Sequence, residues 1–246
     1  GSTEGTSTVN WRINHGDTDV SDFFATSGTL TFADGQSEMV LTIPVRSDRD
    51  VEIDEHFSVE LYQPGAGSTI DASAGSAAGI IRNDDIDLTL ASVVAQVHEG
   101  DNGTPGRLHF TVTRSGDTSG ETSVDWQVQA GSATAPDFPG GVLPSGSVVF
   151  AAGETHKDIY IDVLGDGFDE GDESFTLHLS NPTGNTDIVG NDQVGTIVND
   201  DDSLALSVVT RELVEGDSGL TLFTFRIDRT GSAVGTASVD WRAAGI

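Results

Sequence analysis

Apolar and polar residues alternate with period two along much of the chain. Val124, Trp126 and Val128 alternate with Asp125, Gln127 and Gln129; Ile159, Ile161 and Val163 with Tyr160 and Asp162; Phe175, Leu177 and Leu179 with Thr176 and His178. Phe57, Val59 and Leu61 repeat the last pattern. This period predicts half-buried antiparallel strands, and no comparable amphipathic helix is visible. Clusters of Gly, Asn, Asp and Pro separate the strands and mark turns, a spacing that predicts a β-sandwich. Between residues 86 and 202 seven strands are expected, at about 87–95, 107–114, 122–129, 146–150, 155–163, 174–180 and 193–198.

The pattern recurs. Val9-Asn10-Trp11 returns as Val124-Asp125-Trp126 and as Val239-Asp240-Trp241, each 115 residues on. Asp22-Phe23 returns as Asp137-Phe138, Asp54-Glu55 as Asp172-Glu173, Asn83-Asp84-Asp85 as Asn199-Asp200-Asp201, and Glu99-Gly100-Asp101 as Glu215-Gly216-Asp217. A period of this length is one ordinary domain, repeated in tandem. The expected division is a repeat over 1–85 without its first two strands, a complete repeat over 86–202, and the beginning of a third over 203–246.

Charge narrows the chemistry. The 246 residues hold 40 Asp and Glu against 11 Lys and Arg, a formal net charge of −29. Such a chain repels nucleic acid and anionic membrane surfaces and suits a cation. At 36% hydrophobic residues it is globular rather than an acidic tail. It has no cysteine, hence no disulfide, thiolate ligand or thiol nucleophile. No apolar run is long enough for direct membrane insertion.

Strand parity decides where the acids meet. If successive strands run up and down, the connections after the first, third, fifth and seventh strands share one end of the sandwich. They carry Glu99 and Asp101; Asp137; Asp166, Asp169, Glu170, Asp172 and Glu173; and Asp200, Asp201 and Asp202, with no Lys or Arg among them. The opposite end has only Asp117, Glu121, Glu154, Asp187 and Asp192. Two carboxylates about 4 Å apart repel by roughly 4 kcal/mol at an effective dielectric near 20. Either their pKa values rise or a cation sits among them. Hard oxygen donors from several loops, without His or Cys, point to Ca²⁺ rather than Mg²⁺. The segment Asp166-Gly167-Phe168-Asp169-Glu170-Gly171 lacks the acidic third position of an EF-hand loop.

In order along the chain stand Val97-His98-Glu99-Gly100, Phe110-Thr111-Val112-Thr113-Arg114, Val124-Asp125-Trp126, Asp137-Phe138, Val149-Phe150-Ala151-Ala152-Gly153-Glu154, Asp172-Glu173-Ser174-Phe175, Asn181-Pro182 and Asn199-Asp200-Asp201. With these motifs the sequence resembles the Calx-beta domain of sodium–calcium exchangers, integrin β4 and large surface proteins. The resemblance implies an all-β fold, a tandem of immunoglobulin-like seven-stranded antiparallel sandwiches, each binding Ca²⁺ at one tip. It implies Glu99, Asp137, Asp166, Glu170 or Asp172, Asp200, Asp201 and Asp202 as ligands in the complete repeat. In the first repeat the matching positions are Asp22, Asp48, Glu52, Asp54, Asp84 and Asp85; the third fragment offers only Glu215 and Asp217.

An enzyme is not expected. A hydrolase needs a nucleophile, a base and an orienting group, and none of the six histidines recurs in such a constellation. His109 and His178 fall on the solvent side of strands, and Trp11, Trp126 and Trp241 read as core residues. The expected function is a calcium-binding structural module, a stalk or adhesin segment of an extracellular or cell-surface protein active in cell adhesion. The alternative is a cytoplasmic regulatory Ca²⁺ sensor of a membrane transporter. Calcium is the expected partner. Neighbouring copies are a second one, joined head to tail by strand completion, because the incomplete first repeat and the third fragment carry complementary strands.

Overall fold

The computed structural model describes residues 5–100, 105–232 and 235–244. Asp101, one of the expected acidic residues, lies outside them. The chain divides into two compact units. One is Gly1–Asp87 with Ser115–Ser119 and Asn185–Asp187; the other is Leu88–Arg114, Gly120–Gly184 and Ile188–Ile246.

The first unit is built on a four-stranded antiparallel sheet. Its strands are β1 (Ser7–His15), β2 (Ser27–Phe32), β3 (Glu55–Tyr62) and β4 (Ser76–Ile81), in the order β2-β1-β3-β4. Trp11, Ile13 and Phe23 are buried, with Leu30, Leu41, Ile43, Phe57, Val59, Leu61 and Ile81 packed around them. Residues 38–45 turn Leu41 and Ile43 toward this cluster and leave Val40 exposed, a strand-like alternation. Their only pairing among the described residues is the bridge from Val45 to Phe23.

The complete repeat is a two-sheet sandwich. Its strands are β5 (Ile86–Val94), β6 (Gln96–His98), β7 (Gly106–Gly116), β8 (Thr122–Ala130), β9 (Ser145–Phe150), β10 (His156–Val163), β11 (Glu173–Ser180), β12 (Thr186–Ile188) and β13 (Asp192–Val198). One sheet runs β10-β7-β5-β12, the other β6-β13-β11-β8-β9. The seven strands expected from the alternation are all present. β6 and β12 are additional, three residues each, too short to leave a periodic signal. The alternating residues fill the space between the sheets: Leu88, Leu108, Phe110, Val112, Val124, Phe150, Val163 and Leu177 are fully buried. Phe175 meets Phe110 and Phe138 edge-on at 6.4 and 5.4 Å, a favoured aromatic geometry. Burying a side chain of this size contributes about 1.5–3 kcal/mol.

Aromatic residues recur opposite glycines. Trp11 faces Gly28 across β1 and β2, and Trp126 faces Gly146 across β8 and β9. A Cβ on either glycine would lie 2.7–2.8 Å from the indole ring. Phe57 over Gly79 and Phe175 over Gly195 repeat the device. Trp11 is buried and Trp126 half-buried, as expected of core positions, whereas Trp241 is exposed. The remaining strands, β14 (Asp202–Val208) and β15 (Phe225–Gly231), pair with each other.

His109 and His178 stand on outward positions. His109 stacks on Tyr160 at 4.6 Å and hydrogen-bonds Asp158 at 2.8 Å; His178 pairs with Asp192 at 2.5 Å.

Candidate metal centre

The acidic end of the complete repeat is assembled by strand ends. After Val94 the chain leaves the β5 sheet and crosses to the other one. There β6 pairs in parallel with β13, placing Val97 opposite Ile197 and His98 opposite Val198. The Glu99 N–H then donates to the Val198 carbonyl at 3.1 Å, and the Gly100 N–H to Asp200 Oδ1 at 3.1 Å. This short parallel ladder seats Glu99 beside the segment that follows β13. Carboxylate oxygens of Glu99, Asp200 and Asp201 lie within 4.8 Å of one another.

The loop after β10 closes over the same point. A Cβ on Gly165 would sit 1.5 Å from the Gly100 carbonyl oxygen, so only glycine allows this approach. The Leu164 N–H donates to the Asp137 carbonyl at 2.8 Å, fixing the one-turn 3₁₀ helix Ala135–Asp137 to that loop. The Asp137 carboxylate accepts from the Thr134 N–H at 2.6 Å. Asp166 accepts from the Phe168 N–H at 2.7 Å.

Electrostatics report the crowding. Glu99 is buried, and burial, reinforced by Asp201, Asp166, Asp200 and Glu170, pushes its carboxyl up to about 7. Glu173 is also pushed up to about 7, by burial first and then by the Asp137 charge, a hydrogen bond to Asp137 and the Glu170 charge. Thus Glu99, Asp137, Asp166, Glu170, Asp200 and Asp201 converge, together with Glu173, which the expected ligand set omitted. Its signal was its equivalence to Glu55, 118 residues earlier.

Two expected positions behave differently. Asp172 Oδ1 accepts from the Asn199 N–H at 3.1 Å and so braces the turn, while the Asn199 side chain accepts from the Glu170 N–H at 3.4 Å. Asp202 begins β14 and is ion-paired to Arg229, whose Nε donates to it at 2.8 Å. Asp169 Oδ2 accepts from Thr230 Oγ1 at 2.8 Å. Neither Glu215 nor Asp217 belongs to a carboxylate group of this kind among the described residues.

The first unit repeats the construction. The Arg46 N–H donates to the Asp22 carbonyl at 2.7 Å, as Leu164 does to Asp137. The Glu52 N–H donates to Asn83 Oδ1 at 3.2 Å, as Glu170 does to Asn199. Asp22, Asp48, Glu52, Glu55, Asp84 and Asp85 line a cavity of about 170 Å³. Glu52 and Glu55 are shifted up by desolvation and then by neighbouring carboxylates, Asp48 and Asp22 foremost; Asp85 is raised by burial and then by Asp84. Asp54 accepts from the Asn83 N–H at 3.2 Å and faces Arg82 at 3.6 Å, the bracing role of Asp172. Arg46 reaches the cavity too, its guanidinium held by the Phe23 carbonyl and stacked on Phe24 at 4.5 Å.

The donor set suits a hard divalent cation. The side-chain donors that meet are carboxylate oxygens from two sequence-distant segments, Glu99 is buried, and the loop after β10 approaches the Glu99–Gly100 backbone so closely that no Cβ could enter.

The sequence model of the Calx-beta domain matches residues 1–85 and 82–203. Adhesion G-protein coupled receptor V1 of Danio rerio is 26% identical over 219 residues, 87% of this chain and 3% of that protein. Sodium/calcium exchanger Calx of Drosophila melanogaster is 28% identical over 62% of this chain and 18% of its own length; sodium/calcium exchanger 1 of Mus musculus is 26% identical over 56% and 16%. The chain therefore spans less than a fifth of each of these relatives. Among solved structures, the apo-form Calx CBD1 domain aligns at 27% identity and a TM-score of 0.39, over 46% of this chain and 98% of that domain. The calcium binding domain CBD12 of CALX1.1 aligns at 24% identity and 0.36, over 74% and 69%. The chain belongs to the Calx-beta domain family, which it carries in tandem.

Proposed function

We propose that this chain is a calcium-binding structural module of a tandem-repeat protein at the cell surface or outside the cell, a stalk or adhesin segment. The observation that carries the reading is the meeting of Glu99, Asp200 and Asp201 within 4.8 Å. Around it stand Asp137, Asp166, Glu170 and Glu173, and burial first, then the charges of neighbouring carboxylates, raises Glu99 and Glu173 to about 7. Ca²⁺ would supply the positive charge that this end lacks, and carboxylate ionisation would follow binding. Glu99, Asp137, Asp166, Glu170, Asp200 and Asp201 would hold it. Asp172 and Asn199 would keep the loops in place, and Asp202 would anchor β14 through Arg229. Asp22, Asp48, Glu52, Asp84 and Asp85 form the matching candidate set in the first unit, with Arg46 lowering its net charge. The domain reading is three copies, over 1–85, 86–202 and 203–246.

The surface role is supported by the adhesion receptor relative, whose match covers 87% of this chain. A second reading, a regulatory Ca²⁺ sensor of a transporter, is favoured by the exchanger relatives. Calorimetry with CaCl₂, against MgCl₂ as control, distinguishes them. Extracellular modules bind at about 10⁻⁴–10⁻³ M and sensors at about 10⁻⁷–10⁻⁵ M. Absence of saturable Ca²⁺ heat overturns both.

A further inference from the structure

The loop between β10 and β11 carries Asp166 followed by Gly167, in a stretch without strand or helix. Asp166 Oδ1 accepts from the Phe168 N–H at 2.7 Å, two residues on. Such a bond draws the carboxyl forward along the chain, beside the intervening Gly167 amide. Gly167 is exposed, and its N–H donates to no main-chain carbonyl among the described residues. A Cβ there would meet nothing within 4 Å and φ is not positive, so the fold does not require glycine at this point.

Elsewhere the chain has this turn without the glycine, or the glycine without the turn. Asp48, the equivalent of Asp166 118 residues earlier, accepts from the Asp50 N–H at 3.0 Å, and Asp71 from the Ser73 N–H at 2.8 Å. There the intervening amides belong to Arg49 and Ala72, whose Cβ atoms crowd the approach of the carboxyl carbon. Asp34 does precede a glycine, but its Oδ1 accepts from the Gly5 N–H at 2.6 Å and is held away from the next amide.

We propose that in the metal-free protein Asp166 isomerises through a cyclic imide with Gly167, and that a cation held by the Asp166 carboxylate prevents it. The Gly167 nitrogen attacks Asp166 Cγ. The N–Cγ bond forms and a Cγ–O bond breaks. Water leaves with that oxygen, the amide proton and a proton from solvent. Water then adds at the Asp166 main-chain carbonyl carbon of the five-membered ring, its bond to the Gly167 nitrogen breaks, and the proton returns to solvent. The chain now runs through Cβ and Cγ, one atom longer, with the carboxylate moved to Cα. Mass and charge are unchanged, and no oxidant or reductant is needed. The protective half rests on the calcium reading above: an isomerised loop no longer presents Asp166 to the ion, and a bound ion keeps Cγ off the amide.

The test incubates the whole chain for weeks at physiological pH and temperature in EDTA, MgCl₂ or CaCl₂. Isoaspartate is located by peptide mass spectrometry with electron-transfer fragmentation. In EDTA it should form at Asp166 several-fold faster than at Asp34, and not above background at Asp48. Excess CaCl₂ should slow Asp166 several-fold and leave Asp34 unchanged. Gly167→Ala should remove the reaction in EDTA. Equal rates at Asp34 and Asp166, or an undiminished rate in Gly167→Ala, would overturn the proposal. Calorimetry on fresh protein separates it from the calcium reading. Fast isomerisation at Asp166 without any Ca²⁺ heat would uphold the reaction and strike the calcium site. A Ca²⁺ heat with equal rates in CaCl₂ and EDTA would overturn the protection.

Discussion

Glu173, at the start of β11, lies beside Asp137, in the 3₁₀ helix that precedes β9, and after burial the Asp137 carboxylate is what most raises the Glu173 carboxyl. Burial and a neighbouring negative charge both favour the protonated form, so this end of the metal-free protein holds protons that free carboxyls release. Glu173 and Glu99 both titrate near 7 when folded and near 4.5 otherwise. A raised carboxyl pKa means that the native state binds more protons than the unfolded chain between those values. Stability from this source is fully present below about pH 4.5 and is lost as pH rises through about 7. In EDTA, the melting temperature at pH 8 is therefore expected below that at pH 5.5. Calorimetric melts across that range check it, and a rising melting temperature would contradict the assignment.

Glu173→Gln should isolate that joint. A glutamine amide can donate to Asp137 at every pH, replacing the proton that Glu173 must otherwise hold. The variant is expected to keep its metal-free melting temperature more nearly constant from pH 5.5 to 8, with the remaining slope belonging to Glu99. An unchanged slope would show that Glu173 does not hold the proton.

Gly165→Ala tests the backbone approach that closes the acidic end. The added Cβ would fall 1.5 Å from the Gly100 carbonyl oxygen and 2.7 Å from that of Glu99. The loop or the Glu99–Gly100 segment must move, at an expected cost of about 2 kcal/mol or more. For a domain of this size the melting temperature should fall by roughly 8–16 °C, read by circular dichroism. The equivalent position in the first repeat is Ser47. Ser47→Ala should move the melting temperature by no more than a degree or two.

The core of the complete repeat should tolerate truncation least. Phe175 is 1% exposed and meets two other phenylalanines, so Phe175→Ala should cost about 3–5 kcal/mol. Val194, on the outer side of β13 and largely exposed, should cost about 0.5 kcal/mol or less on truncation to alanine. Denaturant midpoints for the two variants provide the comparison.

Much of this architecture is readable in the amino-acid sequence because it is written twice. Period-two alternation locates the seven long strands, and parity puts Glu99, Asp137, Asp166, Glu170 and Asp200 at one end. Three features escape that reasoning. β6 is three residues long and parallel to β13, so no periodicity announces the switch of sheets that positions Glu99. Asp172 and Asp54 are acids in acidic loops, yet each accepts an asparagine N–H and braces a turn. Asp202 follows two converging aspartates but enters β14, where strand geometry turns it to Arg229. Each outcome depends on a hydrogen bond formed across the fold, which composition and spacing do not encode.

The central claim is that Ca²⁺ is held where Glu99, Asp200 and Asp201 meet. It is tested most directly by melting the chain in CaCl₂ and in EDTA, beside the variant Asp200→Asn, Asp201→Asn. Ligand at a hundred times its Kd adds about 2.7 kcal/mol per site, so the unaltered chain should melt several degrees higher in Ca²⁺. The double variant, relieved of two repelling charges, should melt higher than the unaltered chain in EDTA and gain little from Ca²⁺. Identical melting curves for the unaltered chain with and without the ion, or an undiminished Ca²⁺ gain in the variant, would contradict the account.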